Sequence, residues 1–179
     1  MNRRRIKKHK NAAIYFKPDE DANYAHTFEI DLSEVESGIA LYPSPDSVVP
    51  VGEVSGTVLD GCFIGACTTA EEDLIIAALV LEAGLTKGWK PVECGRRIVV
   101  PGSKPIRHKL EKLGLIEIFQ QCGFKVGVPG CSMCVGQGVD QAAAGETWLS
   151  SQNRNFKNRM GQGEHLFFIQ QPISASMES

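Results

Sequence analysis

An α/β domain on a mainly parallel sheet is the fold class this 179-residue sequence predicts, on three observations. Between residues 58 and 128, short apolar runs alternate with helix-patterned segments, the order that builds β-α-β units. Each run closes in a loop rich in glycine or proline: Gly65-Ala66-Cys67, Pro101-Gly102-Ser103 and Pro129-Gly130-Cys131. Right-handed crossovers carry such loops to one sheet edge, where open α/β sheets place their ligands.

Residues 1–18 read as a basic tail, with Arg3, Arg4, Arg5, Lys7, Lys8 and Lys10. A mitochondrial targeting peptide, a nuclear or RNA-binding tail and a plain solvated terminus all fit that run, although serines are missing from it. Residues 19–56 read as an extended arm. Within it Phe28-Glu29-Ile30-Asp31-Leu32 alternates like a half-buried strand, and Pro43, Pro45 and Pro50 block helix and central strand. Residues 57–179 hold the domain. Its first strand spans Val58 to Ile64 and leads through a Thr69/Glu72 capping box into a helix that Gly84 stops. Arg97 to Val100 is the second strand. Helices follow at about 105–113 and 115–121, split by Gly114, and Phe124 to Val128 is the third strand.

Composition narrows the function classes. Hydrophobic content of 42%, charged content of 22% and a net charge of −2 describe an ordinary globular chain with no electrostatic case for nucleic acid or an anionic membrane. The apolar stretch around Leu74–Leu81 is too short to span a bilayer. Six cysteines without a signal peptide argue for a reducing compartment, the cytoplasm or the mitochondrial matrix.

The chemistry concentrates in Cys67, Cys131 and Cys134. Three thiolates are one short of the four that close a zinc or iron–sulfur site, which leaves a coordination position for substrate. The lone C-x-x-C also fits half a zinc site, a redox pair or two buried thiols. Cys62, Cys94 and Cys122 sit in apolar or mixed surroundings and read as core thiols. A second polar segment, Ser151 to Gly161, carries Arg154 and Arg159 with Asn153, Asn155 and Asn158. Its arginines can fork onto carboxylates, or the segment is a solvated basic loop.

Taken together, four segments resemble the aconitase superfamily in order and spacing. They are Phe63-Ile64-Gly65-Ala66-Cys67-Thr68, Pro101-Gly102-Ser103, Pro129-Gly130-Cys131-Ser132-Met133-Cys134, and Asn153-Arg154-Asn155-Phe156 with Arg159-Met160-Gly161. The Cys-Ser-Met-Cys form is more similar to the isopropylmalate and homoaconitate branches than to aconitase proper. The resemblance implies a truncated three-layer α/β/α iron–sulfur domain. It implies that Cys67, Cys131 and Cys134 bind a [4Fe–4S] cluster and that Asn153, Arg154 and Arg159 hold substrate. The implied reaction is dehydration and rehydration of a small hydroxy di- or tricarboxylate. No catalytic base is assigned in this chain; the family carries it in parts with no counterpart here. A small subunit or complementary chain with the swivelling domain is the implied partner, and a non-catalytic cluster-binding or regulatory module is the alternative. The chain departs from the family pattern at Ala66, where serine is usual, at Thr69, where asparagine is usual, and at Asn158, where glycine is usual.

Overall fold

A computed structural model describes residues 18–93, 95–136, 139–152, 154–161 and 166–170. The chain divides into two compact units, residues 1–35 and 36–179. In the first, the expected strand Phe28–Leu32 does not form. Asp31 instead accepts hydrogen bonds from the Ser33 amide and hydroxyl and caps a single 3-10 turn at Leu32–Glu34. A local side-chain bond competes with extended pairing, and a lone strand gains too little to resist it.

The second unit is built on a seven-stranded sheet, comprising β1 (Gly38–Leu41), β2 (Val48–Pro50), β3 (Gly61–Gly65), β4 (Arg96–Val100), β5 (Lys125–Val126), β6 (Thr147–Ser150) and β7 (Leu166–Gln170). The spatial order is β2-β1-β7-β6-β3-β4-β5. From β5 across to β7 every pairing is parallel, and the β1–β2 hairpin adds antiparallel to the β7 edge. Pro50 closes the outermost strand, where its missing N–H breaks no ladder. Sequence reading finds β3, β4 and β5 but assigns neither the hairpin nor β6 and β7. The third strand is also shorter than the expected Phe124–Val128.

Three helices join the strands: α1 (Glu71–Thr86), α2 (Lys104–Lys112) and α3 (Leu115–Gln121). The expected Thr69/Glu72 capping box is replaced by another arrangement. Ala70 is the N-cap and has no side-chain acceptor; its amide donates to the Asp73 carboxylate at 3.1 Å. Thr69 Oγ1 donates instead to the Gly65 carbonyl at 2.6 Å, tying the helix entry to the end of β3. Gly84 does not stop α1 but lies buried inside it, and the helix runs on to Thr86. Ser103 caps α2 by accepting from the Ile106 amide.

Strand alternation sorts the core onto two faces. Leu74, Ala78, Val99, Leu110, Leu115, Ile116 and Phe119 pack between the helices and one face. Phe63, Ile98, Val100 and Trp148 point to the other, where Ala66, Met133, Cys134, Ala142 and Met160 cover them. Among the described residues this covering layer is loop and 3-10 turn rather than helix. Each fully buried large side chain contributes roughly 1.5–3 kcal/mol, so the covering segment is tied down by its own apolar residues. Among the described residues no helix is long and apolar enough to cross a membrane.

Candidate iron–sulfur site

Because β3, β4, β5 and β6 run parallel, the loops that follow them emerge at one edge. Backbone contacts knit them together. The Ala66 amide donates to the Val100 carbonyl at 3.0 Å, Gly130 to Pro101 at 3.2 Å, and Gly65 to the Ser151 hydroxyl at 3.0 Å. Two glycines permit this closeness. A Cβ on Gly65 would stand 2.0 Å from the Val100 carbonyl oxygen, and one on Gly136 would stand 2.4 Å from that of Asn158. Both have positive φ, +123° and +64°.

The loops deliver the cysteines. Cys67 follows β3, and Cys131 opens a 3-10 turn, Ser132–Val135, that carries Cys134 inward. The Cys67 and Cys131 sulfurs are 3.7 Å apart and both residues are exposed. Cys134 is buried, and Arg159 Nη2 donates to its sulfur at 2.8 Å. Arg159 also donates through Nε to Gln152 Oε1 at 3.4 Å and lies 5.3 Å over the Phe156 ring. Three residues other than glycine take positive φ here, each beside a cysteine or Arg159: Ala66 at 82°, Ser132 at 47° and Asn158 at 64°. Backbone strain of this kind collects at functional sites. The departure at Asn158 is thereby explained, since asparagine tolerates the left-handed conformation that glycine adopts freely.

Cys131 and Cys134 are both pushed toward the protonated thiol. Cys131 is pushed up by its hydrogen bond with Cys67, then by the Cys67 charge, burial and Cys134, against the opposing pull of Arg159. Burial raises Cys134 first; Arg159 opposes it and the Cys67 charge adds to it. A bound cation reverses this, since it compensates the negative charge that each further thiolate adds. Among the described residues, no three His, Cys, Asp or Glu side chains gather closely enough to hold a single metal ion. A cluster distributes its cysteines over separate irons and needs no common point, and an all-thiol donor set is the soft kind it requires. By chemistry, the residues present fit that group.

Of the substrate-binding candidates, Arg159 stands against Cys134, and Arg154 is exposed on the same loop. Asn153 lies outside the described residues, as does Cys94. Asn155 is buried and serves the fold: its Nδ2 donates to the Ala40 and Ser44 carbonyls at 3.2 Å each, fastening the β1–β2 hairpin. Cys122 packs in the helical core, and Cys62 packs partly buried against it. Burial pushes the Cys62 thiol up to about 11 despite nearby Arg97, so it is inert at neutral pH. Cys62 borders a cavity of about 620 Å³ lined by Leu59, Leu85, Trp89 and Phe124 at the amino-terminal end of β3 and β4, the end opposite the cysteine loops. Gln152 went unread in the sequence. Nothing in a run of polar residues marks out Gln152 and Asn155 as the amides that are buried.

Comparison with known proteins agrees with this architecture. The family model for the aconitase family (aconitate hydratase) matches residues 53–177. The chain belongs to the aconitase family. It is 60% identical over 163 residues to a protein named aconitase htyD from Aspergillus rugulosus, covering 91% of this chain and 18% of that protein. It is 60% identical over 156 residues to the 3-isopropylmalate dehydratase large subunit gloJ of Glarea lozoyensis, covering 87% and 18% respectively. It is 39% identical over 160 residues to 3-isopropylmalate dehydratase large subunit 1 of Methanopyrus kandleri, covering 89% and 37%. This aconitase-family chain therefore spans well under half the length of these relatives.

Proposed function

We propose that this chain is the iron–sulfur-binding part of an aconitase-type hydro-lyase of the isopropylmalate or homoaconitate branch. The observation that carries the reading is the meeting of Cys67, Cys131, Cys134 and Arg159 at one sheet edge. Cys67, Cys131 and Cys134 hold a [4Fe–4S] cluster, which when bound supplies an iron with an open position that acts as a Lewis acid on a substrate hydroxyl. Arg159 and Arg154, with Asn153, hold the carboxylates of a small hydroxy di- or tricarboxylate. Arg159 suits this work because a planar fork already anchored on Cys134 presents its remaining N–H groups in a fixed direction. Phe156, against the guanidinium face, narrows that direction further.

The general base of the reaction belongs to the remaining length of the relatives, or to a small subunit or complementary chain that supplies it. By itself this chain binds the cluster weakly and turns over little substrate. Its free thiols suit a reducing compartment, the cytoplasm or the mitochondrial matrix.

Anaerobic reconstitution with iron and sulfide, followed by visible absorbance and iron and sulfide analysis, tests the reading. Wild type loads a cluster, and Cys67→Ser, Cys131→Ser and Cys134→Ser each lose most of it. A wild-type chain that stays colourless, or variants that load as well as wild type, overturn the assignment. Co-purification with a chain that restores dehydratase activity tests the partner.

A further inference from the structure

We infer that Gln152 is a positioning residue that holds the Arg159 guanidinium against the Cys134 sulfur. The inference rests on the proposed roles of Arg159 and Cys134 and extends them to a residue with no metal-binding or ionisable chemistry of its own.

Gln152 leaves the end of β6 and is 1% exposed, among the most buried polar side chains described. Its backbone is pinned where its amide donates to the Ser150 hydroxyl at 3.2 Å. From there Oε1 reaches the Nε of Arg159, whose Nη2 reaches Cys134. A guanidinium is planar, so fixing Nε and Nη2 fixes the whole fork. The Phe156 ring takes one face of that plane. The Gln152 contact supplies the edge constraint that stacking on a ring lacks.

The other end of the amide argues that this orientation is required. Among the described residues, Nε2 of Gln152 is buried with no hydrogen-bond partner. Turning the amide over would face its NH2 toward the Arg159 N–H, donor against donor. The oxygen-inward orientation is therefore set by Arg159, and the orphaned donor is its consequence. A buried polar group left unsatisfied calls for a reason beyond packing. A leucine or methionine would fill the same space with no such group, so the amide is present for its oxygen.

The test uses the 179-residue chain without metal, labelled with 15N, and reads the Arg159 Nε–H resonance, assigned by its loss in Arg159→Lys. In wild type this proton exchanges with solvent more slowly than that of an unstructured arginine peptide. In Gln152→Met and Gln152→Asn exchange accelerates roughly tenfold, as for the loss of one buried hydrogen bond. Gln152→Glu, which keeps an acceptor in place, retains slow exchange. The Trp148 indole resonance reports that each variant is folded. Peptide-like exchange in wild type overturns the inference with no variant needed, and unchanged exchange in folded Gln152→Met or Gln152→Asn does so as well. Because the readout precedes metal loading, it separates the two ideas. Slow, Gln152-dependent exchange in a chain that takes up no cluster keeps the positioning role and removes the cluster. A loaded chain with unaffected exchange does the reverse.

Discussion

The sulfurs of Cys67 and Cys131, separated by 64 positions in sequence, lie 3.7 Å apart. Parallel pairing of β3 and β5 to opposite sides of β4 produces this approach. The loops that follow then lock together through the Gly130–Pro101 hydrogen bond and the close pass of Gly102 beside Cys67. Cys134, three residues further along, is turned into the core and has Arg159 on its sulfur.

That geometry selects a cross-link. Treated with dipyridyl disulfide, the metal-free chain loses two thiols, each link releasing two pyridinethione molecules. Peptide mapping should find Cys67 joined to Cys131 ahead of Cys131 joined to Cys134. A redox-type C-x-x-C gives the opposite order, and a dominant 131–134 link would contradict the loop arrangement described above.

Asn158 provides a test of backbone strain. Its φ of 64° lies where glycine is at ease and a β-branched residue is not. Asn158→Gly should stay closer to wild type in stability than a β-branched variant, because relief of strain offsets the added freedom of the unfolded chain. Asn158→Val should lose about 1–3 kcal/mol and should disturb Arg159, its immediate neighbour. Equal stability of the two variants would show that the left-handed conformation at 158 is not enforced.

Much of this arrangement is legible in the sequence because it is written in local signals. Gly65, Pro101-Gly102 and Pro129-Gly130 mark strand ends, and Pro105 marks the start of a helix, whose first turn Ser103 caps in the structure. The cysteine loops are consequently placed on the correct edge. What escapes is non-local. Thr147–Ser150 is a four-residue strand whose side chains become a pattern only when β3 lies beside it, with Trp148 opposite Gly61. The hairpin's prolines read as strand breakers, yet Pro50 sits at the end of an outer strand, where the objection lapses. Burial of Gln152 and Asn155 depends on chain more than a hundred residues away in one case, the Ala40 carbonyl, and on the fold of Arg159 in the other. Residue type carries no trace of either.

Glu146 gives the fold a pH dependence. Burial alone would raise its carboxyl, but the Trp148 indole, the Ala143 amide and Arg96 all donate to it and hold it below the usual carboxylate range. A carboxyl depressed on folding contributes stability at pH values above its unfolded value. That contribution fades as pH falls through the folded one, because the unfolded chain takes up the proton first. Urea unfolding from pH 7 down to pH 3 should therefore show a loss that Glu146→Gln shares only in part. At pH 7 the variant should be about 1 kcal/mol less stable, a figure kept small by the partial exposure of Arg96 and Glu146. Parallel pH profiles for the two proteins would remove Glu146 from the account.

The pairing of Gly61 with Trp148 sets a tight steric limit in the sheet. Trp148 is fully buried, with Arg96 4.7 Å over its ring, and a Cβ on Gly61 would stand 2.5 Å from three ring atoms. The indole is held by its bond to Glu146, so it cannot swing away without losing a partner. Gly61→Ala should therefore cost about 1–3 kcal/mol, the usual penalty for overfilling a packed core. The chain has two tryptophans, so a Trp89→Phe background makes the fluorescence report Trp148 alone. Trp148→Leu is destabilising by itself because it empties the site. Adding Gly61→Ala to it should cost much less than in the Trp89→Phe background, giving a coupling of about 1 kcal/mol or more between residues in contact. Simple additivity would mean that the glycine serves the β3 backbone rather than the ring.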